Sequence, residues 1–330
     1  MITGLPSAED YEKIAKDCLT QSFKILFAIY KGLKDAQKVY NERPVTILGI
    51  HHKMEYKEVS KGEYFMYNEG NLRTSLILLH QSIECFLKSE ICKTSPLLLI
   101  DKKREDWPAT AKRFDSFYTI SGEALLKTFL STNQSVQVDT QLMQLIEKVR
   151  VKRNECIHGS GGVLIHQVFL LESILDTYKY FLKDFIWFYA FSISDMHDPI
   201  YGSYTMAKTT FISTDFLEFA EYILGQTRLS KQLALDITTR RYFCPGCFEE
   251  IRKEGGEVNS KWAVLFPNKP KVRTVKCVVC DAAFIVSRKQ CKRKPCKGNV
   301  IYNNGYGVSV CLTCGVSQVD KTPRAPVRTS

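Results

Sequence analysis

Residues 72–93, LRTSLILLHQSIECFLKSEICK, set Leu72, Leu76, Leu79, Ile83, Phe86, Leu87 and Ile91 at helical spacing. On a helix these seven side chains share one face, and such a face is stable only when other elements cover it. Glu84 and Lys88, four positions apart, offer an ion pair on the same helix. Outward from this segment, residues 7–40 open with Ser7 as N-cap and Asp10 three positions on. Leu19, Phe23, Ile25, Leu26, Ile29 and Tyr30 follow, and predict a long helix. Residues 41–68 carry Pro44, Gly49 and Gly62 around a short β-like run, VTILGI, and are expected to be a connector. His51 and His52 sit in it as surface residues. Downstream, a further helical segment precedes a stripe of Leu142, Leu145, Ile146 and Val149, and a long apolar helix is expected from about Val163 to Phe191. The expectation is a mainly α-helical bundle over 69–192.

The stripe continues into Arg153–His158, RNECIH, where Arg153, Cys156 and Ile157 take the next inward positions. Arg153 therefore replaces an apolar residue, and a guanidinium in such a place needs an anion because an unpaired buried charge is costly. His158 follows at the last turn before Gly159, Gly161 and Gly162, where a change of chain direction can carry the imidazole back toward the arginine.

The order of helices around an arginine, an asparagine and a histidine after four intervening residues resembles the HEPN family, over about residues 70–192. The resemblance implies an all-helical bundle that cleaves RNA without a metal ion. It also implies that two copies pair, so that two motifs face one cleft. Carried over, His158 is the acid and base, Arg153 the phosphate clamp, and Asn154 a polar helper. Lys152 is a candidate contact to the RNA backbone, although a solvated side chain is the better explanation of a lysine there. Glu84 matches an acidic position of the preceding family helix. Bacterial members of such architecture are toxins and anti-phage effectors, so an inhibitor or defence-system partner protein belongs to the same expectation.

Charge divides the chain. Residues 1–240 hold 29 basic and 29 acidic side chains, whereas residues 241–330 hold 17 and 6, so the net charge of +11 resides in the last 90 residues. A basic segment of this kind favours polyanions, nucleic acid foremost. Lys292, Arg293 and Lys294 form its densest cluster. The start of the chain shows no basic region followed by an apolar run, and no stretch approaches the ~20 apolar residues of a membrane span. A cytoplasmic protein is expected.

Cysteines divide along the same line. Cys18, Cys85, Cys92 and Cys156 are scattered, but the other eight come as four close pairs: Cys244 and Cys247, Cys277 and Cys280, Cys291 and Cys296, Cys311 and Cys314. Two thiolates on one tight turn can aim at one ion, and two such turns complete a tetrahedral shell for zinc. Disulfides would have to survive a reducing compartment. Sequential pairing predicts two structural Zn2+ sites in tandem zinc ribbons over 241–330, while joining the first pair to the third and the second to the fourth fits the spacing as well. Short strands are expected in WAVLFPNKPKVRTVK and NVIYNNGYGVSV. Residues 193–240 read as a helical connector, with a turn in DMHDPIYGSY, then STDFLEFAEYIL and a second short helix.

The combined expectation is a metal-independent endoribonuclease, using the RNA 2′-hydroxyl as nucleophile, with a ribbon module that recruits RNA. Two alternatives stand beside it: a non-catalytic dimerisation or nucleic-acid-binding module, and a ribbon platform that docks proteins in a larger complex.

Overall fold

The computed structural model describes residues 1–42, 60–101, 110–133, 140–158, 164–183, 188, 191, 206–256, 261–269, 271–305 and 308–318. The VTILGI run, His51 and His52, the glycines after His158, DMHDPIYGSY and the C-terminal tail lie outside them. The chain divides into two compact units, Met1–Lys183 and Asp184–Ser330. The first is helical, and the second combines helices with small antiparallel sheets that carry the cysteine pairs.

Among the described residues, six α-helices build the first unit: α1 (Ala8–Glu42), α2 (Lys61–Tyr67), α3 (Glu69–Thr94), α4 (Gly122–Thr132), α5 (Thr140–His158) and α6 (Gln167–Phe181). A two-residue parallel pair, β1 (Ile2–Thr3) and β2 (Lys112–Arg113), accompanies them. Helix α1 starts where a capping box forms. The Asp10 amide donates to Ser7 Oγ at 3.1 Å, and the Ser7 amide donates back to Asp10 Oδ2 at 2.8 Å. Inside the expected connector, Ser60 and Glu63 make the same reciprocal pair and start α2.

Helix α3 is central and contacts α1, α4, α5 and α6. All seven residues of its apolar stripe are buried. A second inward stripe explains how it packs on two sides: Ser75, Ser82 and Ser89 recur every seven residues and face α1. Ser75 Oγ donates to the Ser22 carbonyl and Ser22 Oγ to the Ser75 carbonyl, each at 2.8 Å. Ser82 Oγ reaches the Ala15 carbonyl at 2.7 Å and Ser89 Oγ the Ala8 carbonyl at 2.8 Å. The partners on α1 step back by seven as those on α3 step forward, so the helices run antiparallel in one register. Small side chains allow this approach, and each hydroxyl satisfies itself on the opposing backbone.

Two local expectations change. Glu84 and Lys88 do not pair: Lys88 Nζ donates to Thr119 Oγ1 at 3.1 Å, and Glu84 accepts from the Gly122 amide at the start of α4. Tertiary partners outcompete an exposed i,i+4 pair that contributes only ~0.3–0.5 kcal/mol. The apolar helix expected over 163–191 is shorter, because His166 Nδ1 caps α6 through the Val168 amide and Lys183, with φ +51°, follows its end.

In the second unit, α7 (Met206–Leu233) is broken at Gly225, where φ is +73° and ψ 163°, so it consists of two helical pieces. Helix α8 (Pro245–Lys253) begins inside the first cysteine pair, where Cys244 Sγ accepts from the Cys247 amide and Pro245 takes the first turn. Strands β3 (Ala263–Leu265), β4 (Thr274–Cys277) and β5 (Ala283–Ile285) form one antiparallel sheet, and β6 (Ile301–Asn303) and β7 (Ser309–Cys311) a hairpin. The strands expected in WAVLFPNKPKVRTVK and NVIYNNGYGVSV correspond to β3 and β4 and to β6 and β7, and β5 is an addition that the spacing did not indicate. Arg241 ties α7 to the cysteine-bearing part through both guanidinium nitrogens on Glu221, its Nε on the Ile237 carbonyl, and its plane 4.5 Å over the Trp262 ring.

The serine seam generates a testable consequence. Ser82→Ala should lower the unfolding free energy by about 1 kcal/mol, the net value of one hydrogen bond. Ser82→Leu should cost more, because a larger side chain forces apart two helices in close contact. Denaturant unfolding followed by helical circular dichroism measures both, and a Leu variant as stable as the Ala variant would show that the seam is loosely packed.

Candidate functional site

The cysteine pairs close into two groups of four. Cys244, Cys247, Cys277 and Cys280 form one and Cys291, Cys296, Cys311 and Cys314 the other, with all sulfurs of a group within 4.8 Å of one another. The pairing is therefore sequential. Sulfur separations of 3.6 Å (Cys244 to Cys280), 3.9 Å (Cys247 to Cys277) and 3.8 Å (Cys291 to Cys314) bracket the edge of about 3.8 Å of a tetrahedron with metal–sulfur bonds near 2.3 Å. Each group can thus hold one metal ion.

Local backbone places these sulfurs. In the first three pairs an amide points at a sulfur: Cys247 N at Cys244, Val279 N at Cys277, Arg293 N at Cys291 and Gly298 N at Cys296, at 3.3–3.5 Å. Charge is the unsolved part. Hydrogen bonds from Cys244, Cys247 and Cys277 push Cys280 far below an ordinary thiol, while the neighbouring thiols push Cys247 and Cys277 far above it. Four clustered sulfurs cannot all ionise by themselves, and a divalent cation is what lets them do so. In the second group the Gly298 amide draws Cys296 down, while burial raises Cys314 to about 12. No disulfide joins the described cysteines.

In the helical unit, α5 carries the RNECIH residues. Leu142, Leu145, Ile146 and Val149 are buried, Arg153 and Asn154 are half-buried, and His158 ends the helix exposed. Ile157 is 43% exposed, so it does not prolong the inward stripe. The stripe ends at Arg153 and Cys156, and Cys156 feels Arg73 and Glu69 from the start of α3. Neighbouring cations on α5 are paired, Arg150 with Glu147 at 2.7 Å and Lys152 with Glu155 at 3.1 Å. Arg153 differs: its Nη1 donates to Asn154 Oδ1 at 2.9 Å, and no carboxylate among the described residues pairs with it. Lys152 turns away along a groove of about 910 Å³ that Leu126, Leu164 and Phe169 also line.

Arg153 and His158 are not brought together within the chain. Five residues of α-helix turn a side chain by about 140°, and no hydrogen bond joins the two. The residue that does share the field of Arg153 is His80, on α3. Burial holds His80 below the ordinary histidine value, Glu84 opposes that shift, and Arg153 and Arg150 reinforce it. The spacing of His80 and Glu84, four apart on α3, was the available sequence signal for this group.

Lys292, Arg293 and Lys294 are exposed between Cys291 and Cys296. Their loop is anchored at its base, where the Lys292 amide donates to Gln318 Oε1 at 2.7 Å. No described helix is long and apolar enough to cross a membrane. No model of a known family, no curated protein and no solved structure matches this chain.

Two measurements follow. Elemental analysis should find two metal ions per chain, and Cys247→Ser should reduce this to one while the helical signal of residues 1–183 persists. A full complement in the variant would contradict the four-sulfur shell. His80 has the second consequence. Its depressed value means that the unfolded chain binds the proton more readily, so stability is retained above the unfolded histidine range and lost as pH falls from about 6.5. His80→Gln should flatten that acid-side loss in unfolding titrations between pH 7.5 and 5.5. An unchanged slope would show that His80 is solvated.

Proposed function

We propose that the chain is a metal-independent endoribonuclease of the HEPN type whose basic, zinc-holding ribbon module recruits RNA. One observation carries the reading: Arg153 sits half-buried at the end of an apolar stripe, held by Asn154 and without a carboxylate partner among the described residues. Such a guanidinium is prepared for an external anion, and a phosphodiester offers two oxygens to its fork. RNA brings its own nucleophile, so the protein needs only to move a proton and to stabilise charge on phosphorus.

His158 is the residue assigned to the proton. As the exposed last residue of α5, it is free to meet a phosphodiester that lies outside the chain's own Arg153 contact, and a second copy related by a two-fold axis would supply the complementary pair. The homodimer is thus part of the proposal. Asn154 orients the guanidinium, whereas Lys152, paired with Glu155, acts as a secondary contact to the RNA backbone. His80, beside Arg153 on α3, places no negative charge against the guanidinium. A toxin or anti-phage role, with an inhibitor or defence-system partner in the cytoplasm, accompanies this reading.

Zinc is the ion we assign to both four-cysteine groups, since tetrahedral sulfur suits it and a closed shell leaves no open position for catalysis. Its part is to fold the ribbons and hold Lys292, Arg293 and Lys294 outward. The separation of Arg153 from His158 favours a second reading, a non-catalytic phosphate-binding bundle in which His158 has no chemical part.

Cleavage decides between them. Purified protein with a short RNA should cut in EDTA and leave 2′,3′-cyclic phosphate ends, and a 2′-deoxy substitution at the cut should block it. Arg153→Ala and His158→Ala should each reduce the rate at least about 100-fold, the usual weight of an acid–base or charge-stabilising group. RNA binding that is lost in Arg153→Ala but untouched in His158→Ala, without cleavage in either or in the parent, would establish the binding module.

A further inference from the structure

A groove of about 350 Å³ opens in the second unit between α8 and the β6–β7 hairpin. Phe243, Phe248 and Tyr302 supply its aromatic walls, and Arg252 and Lys253, both exposed, stand at its rim with Glu249. The three rings are half-buried, so part of each remains accessible. Phe243 and Phe248 lie 5.6 Å apart at 53°, and Tyr302 is held edge-on against Phe284 at 5.7 Å.

These rings are fixed by the metal-binding turns. Gly315, which follows Cys314, has φ +72°, and a Cβ there would stand 3.3 Å from Phe248 and 3.4 Å from Phe243. Only glycine supplies both that dihedral and that approach. The Phe243 amide donates to the Leu312 carbonyl at 2.8 Å, so the first ribbon is stitched to the second beside the groove. Cations already use ring faces here. Lys261 Nζ lies 4.7 Å over Phe243 while donating to the Thr313 carbonyl, and the Arg252 guanidinium lies 5.4 Å over Phe248. Arg252 is exposed and so can exchange its ring for a flat ligand, which Lys261 cannot.

We propose that this groove binds one unpaired base of single-stranded RNA, stacked on Phe248 and Tyr302, with the adjoining phosphates on Arg252 and Lys253. It rests on the reading of the ribbon module as the RNA-recruiting part and is independent of the chemistry at Arg153. The volume falls within the usual range for small-molecule sites, and aromatic walls with a cationic rim are what a base and its phosphates require. An apolar peptide would find the walls suitable; Lys253 is paired with Glu250 at 2.8 Å, but Arg252, in a segment whose net charge is +11, favours an anionic strand, whose phosphate can take over Lys253 from that exposed pair. Lys292, Arg293 and Lys294 lie elsewhere on the module as contacts to the phosphate backbone alone, so the groove is where the module distinguishes an open strand from a duplex.

The test uses the full chain and an uncleavable 2′-O-methyl heptamer, intact or with one abasic position moved along it, measured by fluorescence anisotropy. At one position the abasic strand should bind about tenfold more weakly, the loss expected for one stacked base. Phe248→Leu, which keeps apolar volume, should bind intact and abasic strands alike, and Phe248→Trp should restore the difference. Two metal ions per chain and an unchanged salt slope show that each variant is folded. If all abasic strands bind like the intact one, or a duplex binds equally well, the base site is overturned while recruitment through phosphates stands. Absence of binding at 50 mM salt overturns both. A base-dependent difference in a protein that cuts no RNA overturns the nuclease reading alone. If Phe248→Leu instead abolishes self-association without RNA, the groove holds a second copy and the proposal fails.

Discussion

The hydroxyl-to-carbonyl bonds between α3 and α1 set the geometry on which the helical unit depends. Ser75, Ser82 and Ser89 bring two backbones into register at three points seven residues apart. With one face of α3 pressed on α1, its leucine-rich face is directed at α4, α5 and α6. The flat stack of Phe86 on Phe181, with centroids 4.7 Å apart, then fixes α6 against α3. Glu84 caps the start of α4 from the same helix, and His80, one turn earlier, meets the arginines of α5. Positioning of the candidate site thus begins with a hydrogen-bonded seam that contains none of its residues.

The second unit rests on a different constraint, the need to accommodate sulfur charge. Amides point at sulfurs in the first three cysteine pairs, yet the clustered thiols push Cys247 and Cys277 up while drawing Cys280 down. A cation in each group would resolve that conflict and in doing so hold two cysteine turns together, which suits a segment built from three- and four-residue strands. The same turns carry Gly315 under Phe243 and Phe248 and hold Lys292, Arg293 and Lys294 at the surface, so metal binding and the presentation of aromatic and cationic side chains are one event.

In the helical unit, what distinguishes Arg153 is the contrast with its neighbours. Arg150 and Lys152 have carboxylates within one turn, and Arg73 has Glu69, whereas Arg153 shares the field of the half-buried His80 and donates to an amide oxygen. His158 is displaced from it by the geometry of the helix itself. A catalytic pair would have to be completed across a two-fold axis, and this is the physical reason that dimerisation and catalysis stand or fall together in the proposed function.

Much of this architecture was legible in the chain. The apolar period of residues 72–93 fixed a helix with a buried face, Ser7 and Asp10 marked the start of α1, and the cysteine spacing marked two four-sulfur groups, because these depend on contacts or turns within a few residues. The interval of seven between Ser75, Ser82 and Ser89 was equally present, but serine is polar, and only a partner helix at close range makes it an interior residue. Glu84 looked like the partner of Lys88 until α4 and Thr119 supplied better ones. Ile157 looked inward until the packing surface of α5 ended before it. Sequential rather than crossed cysteine pairing, the grouping of His80 with Arg153, and the ring-lined groove were decided by the tertiary structure alone. Each joins segments far apart in the chain, and local spacing carries no information about which distant surfaces meet.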